Sequence, residues 1–425
     1  MAFLFTAIHL SSMITYNLGL GINMLPHFSK NVYLRLFILG MLISTLVACG
    51  KDKINQPTQL DPGFQDKVLV ERLWKRSMGS GDIDLKLNLS SFVSGKLVYT
   101  IDGHGYLSVL DTETTKIIWN KDLNESVSGG LGGDAKYLYY TTFQGELVTL
   151  NRQTGEQVWR ADLSSESIAT PSSNGSLVAI QTVDGKLMTF GTDDGKLRWR
   201  YDSIGPLLSL RGTPSPIISQ RYTLTSFANG ELLAFDNQTG QTYWKAILAT
   251  PQGRTELERL VDPDGQAIID GDTLYTIAYQ GKLVALDVLT GQEKWAKTYS
   301  SFNSVAFGFG QLFVTTANGV VISVNPTNGA ELWKSESFKF RRLSSPFVYN
   351  QTLVFSDLEG YLHFIDVSNG KYLARKHPDE SGVMGELNII GEKLIVSTRS
   401  GDLVAYKMFS DTERLKRSIE KKLAR

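Results

Sequence analysis

The stretch GELLAFDNQTGQTYW, residues 230 to 244, contains an apolar run whose side chains alternate between two faces, followed by a polar turn and a tryptophan. Alternation with apolar residues on both faces is typical of a β-strand that is buried on both sides. Asp236 can accept local backbone N–H groups and Gly240 can adopt a positive φ, so the polar residues between them favour a tight turn. We therefore predict two strands joined by a turn, with Trp244 on the second strand, where its large ring can fill the wedge between neighbouring sheets.

The same outline is repeated along most of the chain, and the copies align without a gap, each with its tryptophan 14 residues after its glycine. The other full copies are GYLSVLDTETTKIIW (105–119), GELVTLNRQTGEQVW (145–159), GKLMTFGTDDGKLRW (185–199), GKLVALDVLTGQEKW (281–295) and GVVISVNPTNGAELW (319–333). A seventh copy, GYLHFIDVSNGKYLA (360–374), ends in Ala374, and an eighth, GDLVAYK (401–407), stops early. Successive glycines are 38 to 51 residues apart, which is the spacing of four-stranded propeller blades.

The eighth repeat lacks its last strand, and the chain has one tryptophan outside the repeats, Trp74 in VLVERLWKR. We therefore predict that residues 67–76 complete the eighth blade, which ties the N-terminus to the C-terminus and leaves no open sheet edge. The predicted fold is all-β, an eight-bladed β-propeller over residues 67–408 whose last blade is closed by the N-terminal strand.

The N-terminus has the layout of an export signal. Lys30 and Arg35 precede an apolar run of about a dozen residues, too short for a membrane span of about 20 residues. We predict that residues 1–48 are a signal peptide. Because residues 1–23 contain no Lys or Arg, Met24 is an alternative translation start.

The apolar run ends at Cys49, the only cysteine in the chain. Leu46-Val47-Ala48-Cys49 resembles the lipobox of bacterial lipoproteins, and the alternative is a buried or chance cysteine. The resemblance implies that Cys49 carries acyl chains such as palmitate and becomes the first mature residue. Gly50 in place of Asp then implies anchoring at the periplasmic face of the outer membrane, with residues 49–66 as lipidated N-terminus and tether.

The balanced charge of the chain and its few candidate ligand residues argue against nucleic-acid binding and metal binding. The 43 basic and 43 acidic residues give no net charge to attract nucleic acid. His104, His363 and His377 have no spacing typical of a metal site. Asp262-Pro263-Asp264-Gly265 is similar to the start of a calcium loop, but no further ligands follow, so a polar turn or a partner contact is favoured. We predict no catalytic residues, no metal and no cofactor.

The Asp-x-x-Thr-Gly turn followed by tryptophan resembles the docking motif of quinoprotein alcohol dehydrogenases, eight-bladed propellers that hold pyrroloquinoline quinone and calcium. In that family the motif is structural, and the enzymes also use an adjacent cysteine pair, which this chain lacks. A periplasmic quinoprotein-like dehydrogenase or a ligand-binding propeller remains the alternative hypothesis.

The longest interruptions of the repeat are residues 201–216 and 245–268, which follow Trp199 and Trp244 and are therefore expected on one face of adjacent blades. The leucines in the first interruption either cap the core locally or form an exposed docking patch. Together with the signal and the repeat, PLLSLRG (206–212), TELERLVDPD (255–264) and SDLEGYLHFIDVSNG (356–370) resemble the BamB family of propeller lipoproteins.

This resemblance implies a non-catalytic scaffold that aids the folding and insertion of outer-membrane β-barrel proteins. It implies binding to the POTRA domains of BamA and to other subunits of the BAM complex, with unfolded outer-membrane proteins as further partners. Matched by motif, the implied contact residues for BamA are Leu208, Leu210, Arg211, Asp262 and Asp264. The resemblance gives no role to residues 409–425, where the spacing of Leu415, Ile419 and Leu423 predicts a helical tail.

Overall fold

The computed structural model describes residues 55–81, 87, 89–204, 213–252, 254–255, 261, 263–410 and 413. These residues form 32 strands in eight antiparallel sheets of four strands each. The predicted eight-bladed β-propeller is confirmed. Among the described residues, no helix has the length and apolar character needed to cross a bilayer.

The strand that comes first in the chain is β1 (Leu69–Ser77), and each following group of four strands forms one blade, apart from the last group of three, which β1 completes. Blade 1 contains β2 (Phe92–Ser94), β3 (Leu97–Ile101), β4 (Tyr106–Asp111) and β5 (Ile117–Asp122), and blade 2 contains β6 (Val127–Gly133), β7 (Tyr137–Thr142), β8 (Glu146–Asn151) and β9 (Gln157–Asp162). Blade 3 contains β10 (Ser172–Ser173), β11 (Leu177–Gln181), β12 (Lys186–Gly191) and β13 (Leu197–Asp202), and blade 4 contains β14 (Ile217–Ile218), β15 (Tyr222–Ser226), β16 (Glu231–Asp236) and β17 (Thr242–Ile247). Blade 5 contains β18 (Ile268–Asp270), β19 (Thr273–Ile277), β20 (Leu283–Asp287) and β21 (Glu293–Lys297), and blade 6 contains β22 (Ala306–Gly308), β23 (Gln311–Thr315), β24 (Val321–Val324) and β25 (Glu331–Ser335). Blade 7 contains β26 (Phe347–Tyr349), β27 (Thr352–Ser356), β28 (Leu362–Asp366) and β29 (Tyr372–Lys376), and blade 8 contains β30 (Val383–Ile390), β31 (Lys393–Thr398), β32 (Asp402–Phe409) and β1.

The hydrophobic core lies between the blades. The second and third strands of each blade are almost wholly buried, whereas the fourth strand alternates exposed and half-buried residues. One apolar cluster, for example, joins Tyr139 and Leu147 of blade 2 to Val178, Ile180 and Phe190 of blade 3. This arrangement explains the apolar residues on both faces of each repeat, because each face packs against a different neighbouring blade.

The ring is closed by β1, as the sequence predicts. It pairs antiparallel with β32, from Leu69 opposite Phe409 to Ser77 opposite Asp402. The observed strand begins two residues after the predicted start at residue 67 and ends one residue after the predicted end at residue 76. The first and last strands of the propeller therefore belong to the same blade.

Each tryptophan of the repeat connects its blade to the turn of the next blade. The ring of Trp244 lies so close to Gly291 that a Cβ at that glycine would be 2.5 Å from the ring. The indole Nε1–H of Trp244 also donates to the carbonyl oxygen of Val288 at 3.1 Å. The same indole-to-carbonyl bonds join Trp159 to Thr192, Trp199 to Asn237, Trp295 to Pro326 and Trp333 to Val367. The structural role expected for the motif is confirmed.

Ala374 stands where the seventh repeat lacks its tryptophan, and the closure of the ring explains this. A tryptophan contacts the turn between the third and fourth strands of the next blade. In blade 8 these two strands are β32 and β1, which come from opposite ends of the chain and have no turn between them. Near this position Phe64 instead stacks on Tyr372 of β29, with ring centroids 4.3 Å apart.

The junction between blades 8 and 1 departs from the repeat in another way. Thr115 occupies the glycine position of the first repeat and adopts a φ of 57°. Arg76 donates to the carbonyl oxygen and to the hydroxyl of Thr115, each at 3.3 Å. On the other side, the buried Nε1 of Trp74 has no hydrogen-bond partner among the described residues. This junction therefore has a strained turn at Thr115 and, among the described residues, an indole Nε1 without a hydrogen-bond partner.

We expect Thr115→Gly to raise the free energy of unfolding by about 1 kcal/mol, because a β-branched residue in the left-handed region costs about 1–2 kcal/mol and part of this is offset by the lost hydroxyl bond. Urea unfolding followed by tryptophan fluorescence measures the change. Thr114→Gly is the matched control and should destabilise the protein, since Thr114 is not among the residues with a positive φ. A less stable Thr115→Gly protein would contradict the assignment of strain to this turn.

Residues 58–67, which we call the strap, run along blade 7 before entering β1. The backbone N–H of Thr58 donates to the carbonyl oxygen of Lys339 at 2.9 Å, and that of Lys67 donates to Leu373 at 2.7 Å. Between them the backbone N–H of Arg375 donates to the carboxylate of Asp66 at 3.0 Å. The polar segment ahead of the propeller is thus attached to blade 7 from Thr58 onward.

Candidate functional site

A cavity of about 750 Å³ opens at the centre of the ring, and we call it the funnel. It lies on the face where the fourth strand of one blade leads to the first strand of the next. Every blade contributes to its wall, from Ser90 in blade 1 to Glu386 in blade 8. Hydroxyl and amide side chains form much of this wall, and its charged residues are Asp264, Arg342, Asp357, Glu386 and Arg399.

The described residues that flank the two loops singled out in the sequence lie on this face. Residues 205–212 follow β13, and residues 253, 256–260 and 262 follow β17, so Leu208, Leu210, Arg211 and Asp262 lie outside the described residues. Their described neighbours Ser215 and Asp264 both line the funnel. The apolar residue that leads into the first loop, Ile204, is 91% exposed. The described residues at the ends of both loops lie on one face of adjacent blades, and the position of the loops themselves stays a prediction.

The base of the second loop is fixed in the core. Val261 is buried and packs with Leu248 and Ala249 between blades 4 and 5. The hydroxyl of Ser226 donates to the carbonyl oxygen of Pro263 at 2.7 Å. Asp264, half-buried, follows this fixed base, and it is the one predicted contact residue that the described part of the chain shows. Its place in the funnel wall is therefore set by buried neighbours.

Two other predicted features are the lipidated cysteine and the C-terminal tail. Cys49 lies outside the described residues. Of the C-terminal tail, Ser410 and Glu413 are described. The Glu413 carboxylate accepts from the backbone N–H of Ser410 at 2.9 Å, and the backbone N–H of Glu413 donates to the Ser410 hydroxyl at 3.3 Å. This reciprocal pair is the capping box typical of a helix start.

A largely buried cluster of charged and polar side chains lies in blade 7 and comprises Arg341, Asp357, His363 and Tyr372, which we call the Arg341 cluster. Arg341 Nε donates to Asp357 Oδ2 at 2.7 Å, and His363 Nε2 lies 2.8 Å from the same oxygen. Tyr372 lies 2.5 Å from His363 Nδ1. The side chains of Asp357 and His363 are completely buried. Arg341 also donates to the carbonyl oxygen of Thr58 at 2.8 Å, which connects the cluster to the strap.

The pKa values in the Arg341 cluster are set by burial and by this pairing. Burial lowers the pKa of His363, so the ring is neutral, with Nε2–H donating to Asp357 and Nδ1 accepting from Tyr372. Burial alone would raise the pKa of Asp357, but the bonds from His363 and Arg341 overcome it and leave this pKa lowered. The cluster has the chemistry of a closed hydrogen-bonded anchor, because each partner is engaged within the protein.

The described residues contain no group of three or more His, Cys, Asp or Glu side chains arranged to hold a metal ion. His363 is used in the Arg341 cluster. His104 lies 3.3 Å from the Ser80 hydroxyl, and His377 lies 3.0 Å from the carbonyl oxygen of Glu359. These three histidines therefore have separate local partners.

Glu386 is a charged residue of the funnel that sequence reasoning missed. It lies in β30, where the pairing with β31 is interrupted between Met384 and Asn388, so Gly385, Glu386 and Leu387 bulge out of the ladder. Gly385 has a φ of 66° within this bulge. A glycine inside a strand pattern is a signal for a bulge, and Gly385 in VMGELNII could have indicated one. The sequence pattern does not indicate that this bulge is directed toward the central cavity.

Comparison with known proteins gives consistent relatives. The family profile described as outer membrane protein assembly factor BamB matches residues 103–335. The outer membrane protein assembly factor BamB of Pseudomonas aeruginosa is 45% identical over 369 residues, which cover 87% of this chain and 97% of that protein.

Two solved structures illustrate the range of proteins that share the fold. The crystal structure of BamB from Moraxella catarrhalis has a TM-score of 0.73 at 22% identity and covers 80% of this chain and 100% of that one. The quinohemoprotein alcohol dehydrogenase from Comamonas testosteroni has a TM-score of 0.64 at 12% identity and covers 86% of this chain and 82% of that one. At these identities, both likenesses concern the fold alone.

Proposed function

Since the chain belongs to the BamB family of outer membrane protein assembly factors, we propose that it is a non-catalytic scaffold that binds the POTRA domains of BamA and aids the folding and insertion of outer-membrane β-barrel proteins. The observation that carries this proposal is the 45% identity to an assembly factor over 97% of that protein's length.

The funnel face supports a scaffold role. The predicted contact residues Leu208, Leu210 and Arg211 precede Ser215 in the chain, and Asp262 immediately precedes the loop base that carries Asp264. Leucines and arginine are residue types found at interface hot spots, and aspartates add charge complementarity. A non-catalytic role is also in keeping with the engaged histidines and with blades whose repeat residues are occupied in packing.

Co-purification tests this proposal. The acylated protein with an affinity tag, extracted in mild detergent from cells that express it at its natural level, should retain BamA through washing. Absence of BamA from the eluate would refute the scaffold role. A redox activity of the purified protein that requires calcium and quinone would instead support the quinoprotein-like alternative.

We further propose that Cys49 carries the lipid anchor at the periplasmic face of the outer membrane. The strap is in keeping with this arrangement, because it attaches the chain to blade 7 from Thr58 onward, nine residues after Cys49. A stable anchor requires two or more acyl chains.

We expect Cys49→Ser to release the protein from the membrane fraction, because the acyl chains are attached through the cysteine sulfur. Fractionation by centrifugation and intact mass measure the outcome, with loss of the acyl mass expected. Ser44→Ala, a small change in the same apolar run, should leave both unchanged. An acylated, membrane-bound Cys49→Ser protein would rule out Cys49 as the anchor.

A further inference from the structure

The inner end of blade 8 directs an acidic side chain into the funnel. Glu386 is exposed to the cavity although it lies on β30, the innermost strand of its blade. The bulge that displaces it is fixed in place, since a Cβ at Gly385 would lie 2.7 Å from the carbonyl oxygen of Leu89 in blade 1. Glu386 is thus held at the cavity wall by the backbone of two blades.

Glu386 has no cation near it among the described residues, and no hydrogen bond to its carboxylate is present there. Solvent in the funnel reaches this carboxylate, but the crowded wall around it raises its pKa through desolvation. A raised pKa in a carboxylic acid means that its ionised form is less stable in the folded protein than in the unfolded chain. Ionisation of Glu386 therefore costs the fold stability, and a cation bound beside the carboxylate would offset that cost, as is common at binding sites.

The wall of the funnel offers hydrogen-bond donors. The hydroxyl oxygens of Ser215, Ser304 and Ser345 each accept a backbone N–H from the preceding blade, at 3.1, 2.9 and 3.0 Å. Each O–H proton must then point elsewhere, and within the described residues none of the three has an acceptor. The exposed Arg342 adds a guanidinium at the same wall. Backbone carbonyl groups of an extended peptide are acceptors that suit such donors.

The funnel also has apolar groups that a peptide side chain can contact. Phe302 and Leu358 line it and are 40% and 46% exposed. Phe302 is held by stacking on Tyr279, with centroids 4.0 Å apart. The volume of about 750 Å³ is within the range of about 300–1,000 Å³ that ligand pockets have.

We propose that the funnel binds an extended polypeptide segment in which a lysine or arginine side chain reaches Glu386 and neighbouring apolar side chains contact Phe302 and Leu358. A carboxylate without a cation among the described residues selects a cation from a ligand. The serine hydroxyls and Arg342 donate to the peptide carbonyls, and the exposed apolar residues supply contact area. Glu386, Phe302 and Leu358 are not among the proposed BamA contact residues, although Asp264 of that set lines the same funnel, so the proposal goes beyond the scaffold role.

Fluorescence anisotropy of a labelled peptide tests the site on the full-length acylated protein in detergent. The probe is fluorescein-Gly-Ser-Leu-Lys-Leu-Ser-Gly-amide, and its partner probe has methionine in place of lysine. We expect the lysine peptide to bind about ten times more tightly, the effect of one charge-assisted hydrogen bond. Glu386→Gln should remove this preference, whereas Glu156→Gln, an exposed glutamate in a turn on the opposite face, should retain it.

Thermal unfolding of the same variants separates binding from folding. Glu386→Gln removes an unpaired charge, so its melting temperature should equal or exceed that of the wild type. Equal binding of the two peptides to the wild-type protein, no binding of the lysine peptide at millimolar concentration, or an undiminished preference in Glu386→Gln would each overturn the proposal. These results are independent of BamA co-purification, so the two proposals can fail separately.

Discussion

Replacing Arg341 with methionine is expected to lower the free energy of unfolding by about 3–5 kcal/mol, because it leaves the buried carboxylate of Asp357 without its cation. The Arg341 side chain is 3% exposed and that of Asp357 is 0% exposed, so water cannot replace the lost partner. The substitution also removes the bond from Arg341 to the strap at Thr58. Urea unfolding measures the loss.

Arg198→Met is the matched control, because Arg198 pairs with Asp194 at 2.9 Å but both side chains are well exposed. An exposed pair of this kind contributes at most about 1 kcal/mol. The double variant Arg341→Met with Asp357→Asn should lose less stability than the two single losses combined, since it removes both charges. A loss no larger than that of the control would show that the Arg341 cluster is not an anchor.

The Arg341 cluster also predicts a dependence on pH. The pKa of His363 is lowered from 6.5 and that of Asp357 from 3.8, so both groups bind fewer protons in the folded protein than in the unfolded chain. Stability gained in this way is present above the unfolded pKa and is lost as the pH falls. The wild-type free energy of unfolding should therefore fall below pH 6.5 through His363 and further below pH 3.8 through Asp357. In Arg341→Met, a protonated His363 can pair with Asp357, so the fall between pH 7.5 and pH 5 should be smaller.

Combining Leu208→Ala with Arg211→Ala is expected to abolish co-purification of BamA while the propeller stays folded. Hot-spot residues contribute about 2 kcal/mol or more each, so two of them correspond to a loss of affinity of at least about 100-fold. Both residues fall between the end of β13 and the start of β14, so neither belongs to a strand of the propeller. The measurement is recovery of BamA on the tagged protein, with circular dichroism as a check of the fold.

Leu197→Ala with Arg198→Ala is the control for this pair, because it changes the same residue types at exposed positions of β13 in the neighbouring blade. This control should retain BamA. Undiminished recovery with the loop variant would remove Leu208 and Arg211 from the contact surface. Charge reversal at Asp262 and Asp264 should act differently, by slowing association and changing its salt dependence.

The repeating part of the structure was predictable because its physical cause is repeated in the sequence. The turn glycine that receives the ring of Trp244, Gly291, belongs to the repeated pattern of the next copy, so the residues of one repeat also report how neighbouring blades pack. The closing strand was found by the same logic, from a missing strand at one end and an unassigned Trp74 at the other.

Features without periodicity could not be predicted in this way. The strap is a polar segment, and its attachment depends on Arg341 and Arg375, which lie about 300 residues away. Glu386 enters the funnel because the pairing of β30 shifts, and pairing partners are not visible in one strand. The loops that carry Leu208 and Asp262 were located from the interruption of the repeat, but contact with a partner depends on residues beyond this chain.

The pairing of β1 with β32 has a consequence for the order of events during synthesis of the chain. Leu69 belongs to the part of the propeller that is synthesised first, yet its partner Phe409 is among the last residues of the propeller to be made. The N-terminal strand must therefore wait, with its edge unpaired, until nearly the whole polypeptide has been synthesised. A chain truncated before β32 has no partner for β1, so its ring cannot close and an open sheet edge remains. Such an edge favours aggregation or proteolysis.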